Sequence, residues 1–212
     1  MRNTTTNECR HIVVAITGAS GSRFGLRTVQ ALLDAGERVS LLVTPSGLKV
    51  LEYETGHVWT GAAEEITGIV RKHFQSEDVE YFAADDLFAP IASGSSAPDA
   101  MVVVPCSMGT VGRIAAGLSN NLIERVADVA LKERLKLVLV PRETPFSTLH
   151  LENLLRLSRV GATVLPAMPG YYQRPETLAD LDDFLAGKIL DSLNIEHQLF
   201  KRWGSDNRDE IS

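Results

Sequence analysis

Along the 212-residue chain, short apolar, β-branched runs alternate with amphipathic stretches almost from end to end. The run at 11–17 (HIVVAIT) is unbroken, which is the pattern of a strand buried on both faces. It ends in Gly18-Ala19-Ser20-Gly21-Ser22 and passes into a helical period over 23–35, which Gly36 closes as a glycine just past a helix end should. A second strand is predicted at 39–44, followed by Pro45 and a helix through about Thr55. A helix at 62–74 and a short strand at 79–82 come next. Gly, Ser and Pro crowd 89–96, which predicts an irregular loop. Two more buried strands, 101–104 and 137–140, each end in a proline and a polar cluster, and a helix over 121–134 lies between them. A helix at 147–160, a last strand at 163–166, a loop at 168–175 and a final helix at 176–193 complete the pattern.

Strands alternating with helices predict an α/β fold class: a doubly wound, Rossmann- or flavodoxin-like parallel sheet in a single domain. The expected limits are a disordered tail at 1–10, the domain at 11–204 and a C-terminal tail at 205–212. Such sheets bind ligands just past the carboxyl ends of their strands. The polar clusters at 105–107 and 141–143 are therefore the first place to look for a site.

Composition narrows the choices only slightly. Hydrophobic residues at 44% and charged residues at 23% are ordinary globular values. A net charge of −6 argues against a general nucleic-acid binder. No apolar run approaches the roughly 18 residues that span a bilayer, and the first residues lack the apolar core of a signal peptide. Two cysteines, Cys9 and Cys106, make no disulfide framework, so the expected location is the cytoplasm.

The chemistry-bearing positions fall into two groups. In the first turn, Gly18, Ala19 and Ser20 lead from a strand into a helix N-terminus, whose N–H groups suit a phosphate. The glycine spacing misses the dinucleotide fingerprint, so a mononucleotide such as FMN fits better. Thr44 ends the second strand, where its hydroxyl could contact a nucleotide or cap a helix; taken alone, the cap is the simpler reading. Ser107, Met108, Gly109 and Thr110 offer hydroxyls and amides to a flavin ring or a phosphate. Cys106 has no nearby His to activate it and reads as a small buried residue.

The second group is cationic. Arg125 and Lys132, seven residues apart, share a helix face, and Lys188 lies on the last helix. Arg142 stands directly at a strand's carboxyl end, where a guanidinium can clamp phosphate. Beside it, Glu143 is a candidate general acid/base or an ion-pair partner. Tyr172 belongs to a Gly/Pro-bounded loop able to cover an apolar substrate. The histidines show no metal-ligand spacing, and no acidic motif for Mg²⁺ appears, so no metal is expected.

The segments ITGASGSRFGLR, ASGSSAPDAMVVVPCSMGT, LSNNLIERVADVALKERLKLVLVPRETPFS and HLENLLRLSRVGATVLPAMPGYYQRP, with the late KIL and RWG, resemble the UbiX-type flavin prenyltransferases over nearly the whole chain. That resemblance implies an enzyme joining a dimethylallyl group from dimethylallyl phosphate to N5 and C6 of reduced FMN. The prenylated FMN would serve a separate decarboxylase of the UbiD type. It also implies FMN contacts at Gly18, Ala19, Ser20, Thr44, Ser107, Met108, Gly109, Thr110 and Arg142. The implied donor-phosphate site is Arg125, Lys132, Arg142, Tyr172 and Lys188. Ser20, Glu143 and Arg142 are the implied catalytic residues, and a homododecamer with sites built between subunits is implied as well. Two departures from the family pattern stand out: Thr44-Pro45 replaces a frequent Ser-Lys, and Leu87 replaces a Trp found in some members.

Two other functions fit the same fold. An FMN-dependent decarboxylase of cysteine-containing compounds would need a His on the helix after the first turn, and none occurs between His11 and His57. An FMN carrier, or a non-catalytic subunit of an aromatic-acid decarboxylase, would have no use for a second phosphate site.

Overall fold

The computed structural model describes residues 9–202. The expected tails, apart from residues 9 and 10, and the Trp203-Gly204 pair that ends the expected domain lie outside the described residues. Six parallel strands form one sheet in the order β3-β2-β1-β4-β5-β6. They are β1 (His11–Ile16), β2 (Arg38–Val43), β3 (Val79–Ala83), β4 (Ala100–Cys106), β5 (Lys136–Pro141) and β6 (Thr163–Val164). This is the Rossmann strand order, and its winding reverses between β1 and β4.

The strands read as unbroken apolar runs because helices cover both faces. Ile12, Val14 and Ile16 of β1 face one core, while Val13 and Ala15 face the other. Over the first face pack α1 (Ser22–Asp34), α3 (Ala63–Phe74) and α7 (Leu178–Leu193), with Leu51 of α2 (Pro45–Thr55). Over the second lie α4 (Met108–Ala115), α5 (Leu122–Lys132) and α6 (Thr148–Arg159). Each fully buried Leu or Ile in these layers contributes on the order of 2 kcal/mol of apolar transfer energy.

Several boundaries differ from expectation, each for a local reason. The 89–96 segment is not irregular throughout: it folds into two short 3-10 turns, Pro90–Ala92 and Gly94–Ser96. Its apolar residues Ala89, Ile91 and Ala92 are buried in the second core, and that packing holds the turns. Helix α4 was not anticipated, because its two glycines and a threonine mask the period. The Ser107 cap and the buried Val111 and Ile114 favour it nonetheless. The last helix starts at Leu178 and is capped by Thr177. The final strand is only two residues long, ending before Leu165 and Pro166.

β1 and β2 run in register from His11 opposite Arg38 to Ile16 opposite Val43. The carboxyl ends of β1, β2, β4 and β5 thus come to one edge of the sheet, and Thr17, Thr44, Ser107 and Arg142 are the residues that leave it.

Candidate functional site

Thr17 ties the switch point together. It is fully buried, donates from Oγ1 to the Pro105 carbonyl at 2.8 Å and accepts the Ser107 N–H at 2.8 Å. The ends of β1 and β4 are therefore locked to each other through one hydroxyl. A single polar residue closing a β-branched run is the signal that marks it, and it was not singled out from sequence.

The first turn is built by α2 as much as by β1. At the start of α2, Ser46 packs so closely on Gly18 that a Cβ there would lie 2.5 Å from Ser46 Oγ. Thr44 is the α2 cap: its Oγ1 accepts the Gly47 N–H at 2.9 Å. In the last turn of α2, Glu54 accepts the N–H groups of Gly21 at 3.0 and 3.1 Å and of Ser22 at 2.8 Å. The N-terminus of α1, expected to be open for phosphate, is thus occupied by a carboxylate of the chain itself. Burial pushes the Glu54 pKa up, but hydrogen bonds from Ser20, Ser22 and Gly21 outweigh it and hold the carboxyl below its usual value. Gly21 can sit there because it takes a φ of 106°, open to glycine. Ala19 is buried, whereas Ser20 is exposed at the edge. Glu54 was missed because only the fold brings it to the turn. Its one trace in the sequence is an acidic residue in a helix's last turn, where the macrodipole disfavours it.

Across the switch point, Ser107 caps α4, with Oγ accepting the Thr110 N–H at 3.3 Å. Met108 is buried, and Gly109 lies against Arg113, whose Nη1 would sit 3.3 Å from a Cβ added there. Cys106 is fully buried, and desolvation pushes its thiol up to about 12, which leaves it inert.

Arg142 and Glu143 leave β5 at the same edge, anchored by the Arg142 N–H on the Cys106 carbonyl at 3.2 Å. Both side chains are exposed. The Arg142 guanidinium has no hydrogen-bond or ion-pair partner among the described residues. Among the described residues Glu143 accepts just the N–H of Thr144, at 3.0 Å. The Ala167 N–H bonds the Pro141 carbonyl at 3.0 Å, so the following loop passes beside Arg142. Tyr172 of that loop stacks edge-on against Phe184 of α7, with centroids 5.7 Å apart.

The other cations do not join this group within one chain. Arg125 donates to the Ala92 carbonyl at 3.0 Å and pairs with Asp128. Lys132 pairs with Glu133 at 3.0 Å and lies close to Gly94, so both residues do face the 89–96 segment. But Lys132 precedes β5 and Arg142 follows it, which separates them by roughly 17 Å of strand. Lys188 pairs with Asp191 at 3.5 Å and sits near the end of α7, whose Leu193 carbonyl binds Arg10 at the start of β1. Lys132 and Lys188 therefore lie toward the amino edge of the sheet. Leu87 is exposed, beside a fully exposed Phe88, in the segment after β3.

A further concavity opens on the α1 side of the first turn. A cleft of about 460 Å³ runs beside α1, lined by Arg23, Arg27, Glu54, His57, His73 and Asp182 among others. Its cations are already paired to Asp182 and Asp183. Among the described residues no group of three or more His, Cys, Asp or Glu is placed to hold a metal ion.

A parallel sheet whose carboxyl edge carries hydroxyls, amides and a guanidinium unpaired among the described residues is that of a mononucleotide-binding α/β protein, and the Flavoprotein family model matches residues 1–202. The flavin prenyltransferase UbiX of Halalkalibacterium halodurans is 49% identical over 195 residues, covering 91% of this chain and 93% of that one. AnUbiX (PadA1), solved in complex with FMN and dimethylallyl pyrophosphate, superposes with a TM-score of 0.84 at 36% identity, covering 94% of this chain and all of that one. The dodecameric FMN-dependent UbiX-like decarboxylase of Escherichia coli O157:H7 gives 0.81 at 38% identity, covering 91% and 98%. The chain belongs to the UbiX flavin prenyltransferases within the Flavoprotein family.

Proposed function

We propose that this protein transfers a dimethylallyl group from dimethylallyl phosphate to reduced FMN at the carboxyl edge of β1, β4 and β5. The observation that carries this reading is the Arg142 guanidinium, held at that edge beside Glu143 without a partner among the described residues. Reduced FMN supplies the nucleophilic N5 and C6 positions that take up the prenyl group. What the chain must supply is fixed positive charge where the leaving phosphate develops its own, in a water-poor site. Arg142 provides that charge with no metal required.

The flavin edge is assigned to Gly18, Ala19, Ser20, Thr44, Arg142 and the Ser107–Thr110 turn. Glu54 already fills the α1 N-terminus, so the phosphate of FMN is assigned to other groups along the edge. Ser20 and Glu143 are assigned the proton and phosphate transfers, with Glu54 holding the turn that follows Ser20 through the Gly21 and Ser22 N–H groups.

Arg125, Lys132, Lys188 and Tyr172 are assigned to the donor phosphate across subunit boundaries. The distance between Lys132 and Arg142 in one chain and the dodecameric relative both support a site shared between copies. Further parts of the reading are a homododecamer, a cytoplasmic location and a UbiD-type decarboxylase that receives the product. No helix among the described residues is long and apolar enough to cross a membrane.

Titrating dimethylallyl phosphate into the FMN-loaded protein tests the second phosphate site. Saturable binding, weakened by Arg142→Ala, is expected. A protein that bound FMN but not the donor would be a carrier.

A further inference from the structure

The hydroxyl protons around Ser107 have a direction that burial decides. Ser107 Oγ and Thr110 Oγ1 are 3.0 Å apart, and either could donate to the other. Arg113, which has donors only, places Nη2 3.1 Å from Thr110 Oγ1. Thr110 Oγ1 therefore accepts from Arg113, and its own proton needs an acceptor. Ser107 Oγ is the acceptor within reach among the described residues.

The opposite arrangement, with Ser107 donating, would strand the Thr110 proton. Thr110 is only 2% exposed, and an unsatisfied buried hydroxyl costs on the order of 1–3 kcal/mol. Ser107 is part-exposed at the crevice edge, so its proton can go to solvent or ligand. With the Thr110 N–H and O–H both directed at it, both lone pairs of Ser107 Oγ are used. What remains is one O–H donor facing the crevice.

The guanidinium that starts this chain is held in turn. Arg113 Nε donates to Glu124 Oε1 at 2.5 Å, and Glu124 is 1% exposed. The Glu124 carboxylate also accepts the Asn120 N–H at 2.9 Å and the Asn121 amide at 2.8 Å. Neither Arg113 nor Glu124 belongs to the site assigned above.

We infer that Glu124 and Arg113 are positioning residues that, through Thr110, fix Ser107 as a hydrogen-bond donor to an acceptor atom of the bound flavin. This rests on the assignment of Ser107 to the flavin edge. The acceptor is a ring carbonyl or nitrogen, or a phosphate oxygen.

The test is the affinity of the full-length protein for oxidised FMN and for riboflavin, by flavin fluorescence, with the apo-protein melting temperature followed in parallel. Ser107→Ala and the paired change Arg113→Gln/Glu124→Gln should each weaken FMN about tenfold, the worth of one hydrogen bond. Replacing both charges together avoids leaving a buried ion unpaired. Combining all three substitutions should weaken binding no further than Ser107→Ala alone, because all remove the same proton's direction. Ser107→Thr should restore affinity.

Losses that multiply in the triple variant would mean independent structural effects and would overturn the inference. So would unchanged affinity in Ser107→Ala. An equal loss with riboflavin places the acceptor on the ring, and a loss confined to FMN places it on the phosphate; both sustain the role. Wild-type protein that bound no flavin would instead overturn the flavin assignment itself, and this role with it.

Discussion

The carboxyl edge of the sheet and the outer cations of α5 and α7 are built differently. At the edge, one chain does everything: Thr17 locks β1 to β4, Glu54 fills the start of α1, and Arg142 is left beside Glu143 without a partner among the described residues. On the helices, each cation is already satisfied: Arg125 by Ala92 and Asp128, Lys132 by Glu133, Lys188 by Asp191. Exposed pairs of that kind are worth at most about 1 kcal/mol, so a phosphate can displace the carboxylates at little cost. The contrast fits the proposed division of labour, in which each chain would present the flavin edge and lend its outer cations to a neighbour.

That division can be broken most severely at Arg142. Arg142→Ala should lower kcat/KM for prenyl transfer by about a thousandfold, as expected when charge stabilisation of the leaving group is lost. Steady-state kinetics with retained activity would move the phosphate site elsewhere. Glu143→Gln should slow turnover by about a hundredfold, the scale of a lost acid/base group, while FMN titrates as before. Unchanged turnover would remove Glu143 from the mechanism.

The comparison sharpens when the two halves are disabled in different chains. Arg142→Ala and Lys132→Ala proteins, each inactive, are co-assembled in equal amounts. About a quarter of the sites should then recover activity if each site draws its two cations from two chains of a symmetric oligomer. Mixtures that stay inactive would place both cations in one chain's site, against the separation along β5.

The smallest effect concerns Glu54. Its folded pKa is depressed, so its contribution to stability is complete above its ordinary value of 4.5 and is lost as pH falls through the lower, folded value. Melting curves of wild type should therefore lose more stability below about pH 4.5 than those of Glu54→Gln. Parallel curves would mean that Glu54 does not hold the turn.

What could be read from the sequence divides along similar lines. The strands at 11–17, 39–44, 101–104 and 137–140 were legible because burial on both faces leaves unbroken β-branched runs. Arg142 was legible because a proline and a charge directly follow such a run. Helix α4 was not legible, since Gly109 and Gly112 weaken the period that Val111 and Ile114 carry. The Glu54 contact with Gly21 joins residues 33 apart, and no local pattern encodes that. Glu124 left a usable trace: three residues after the Asn121 cap, it fits a capping box, and its complete burial was the unexpected part. The sequence grouped Lys132 and Lys188 with Arg142 only as cations, and their assignment to one phosphate site came from the family resemblance; a single chain does not bring them together.

The most direct test of the central claim is one anaerobic incubation of the protein with reduced FMN and dimethylallyl phosphate, followed by mass analysis of the released flavin. The account predicts a flavin heavier by one C5H8 unit. Recovery of unmodified FMN from protein shown to bind both molecules would contradict it.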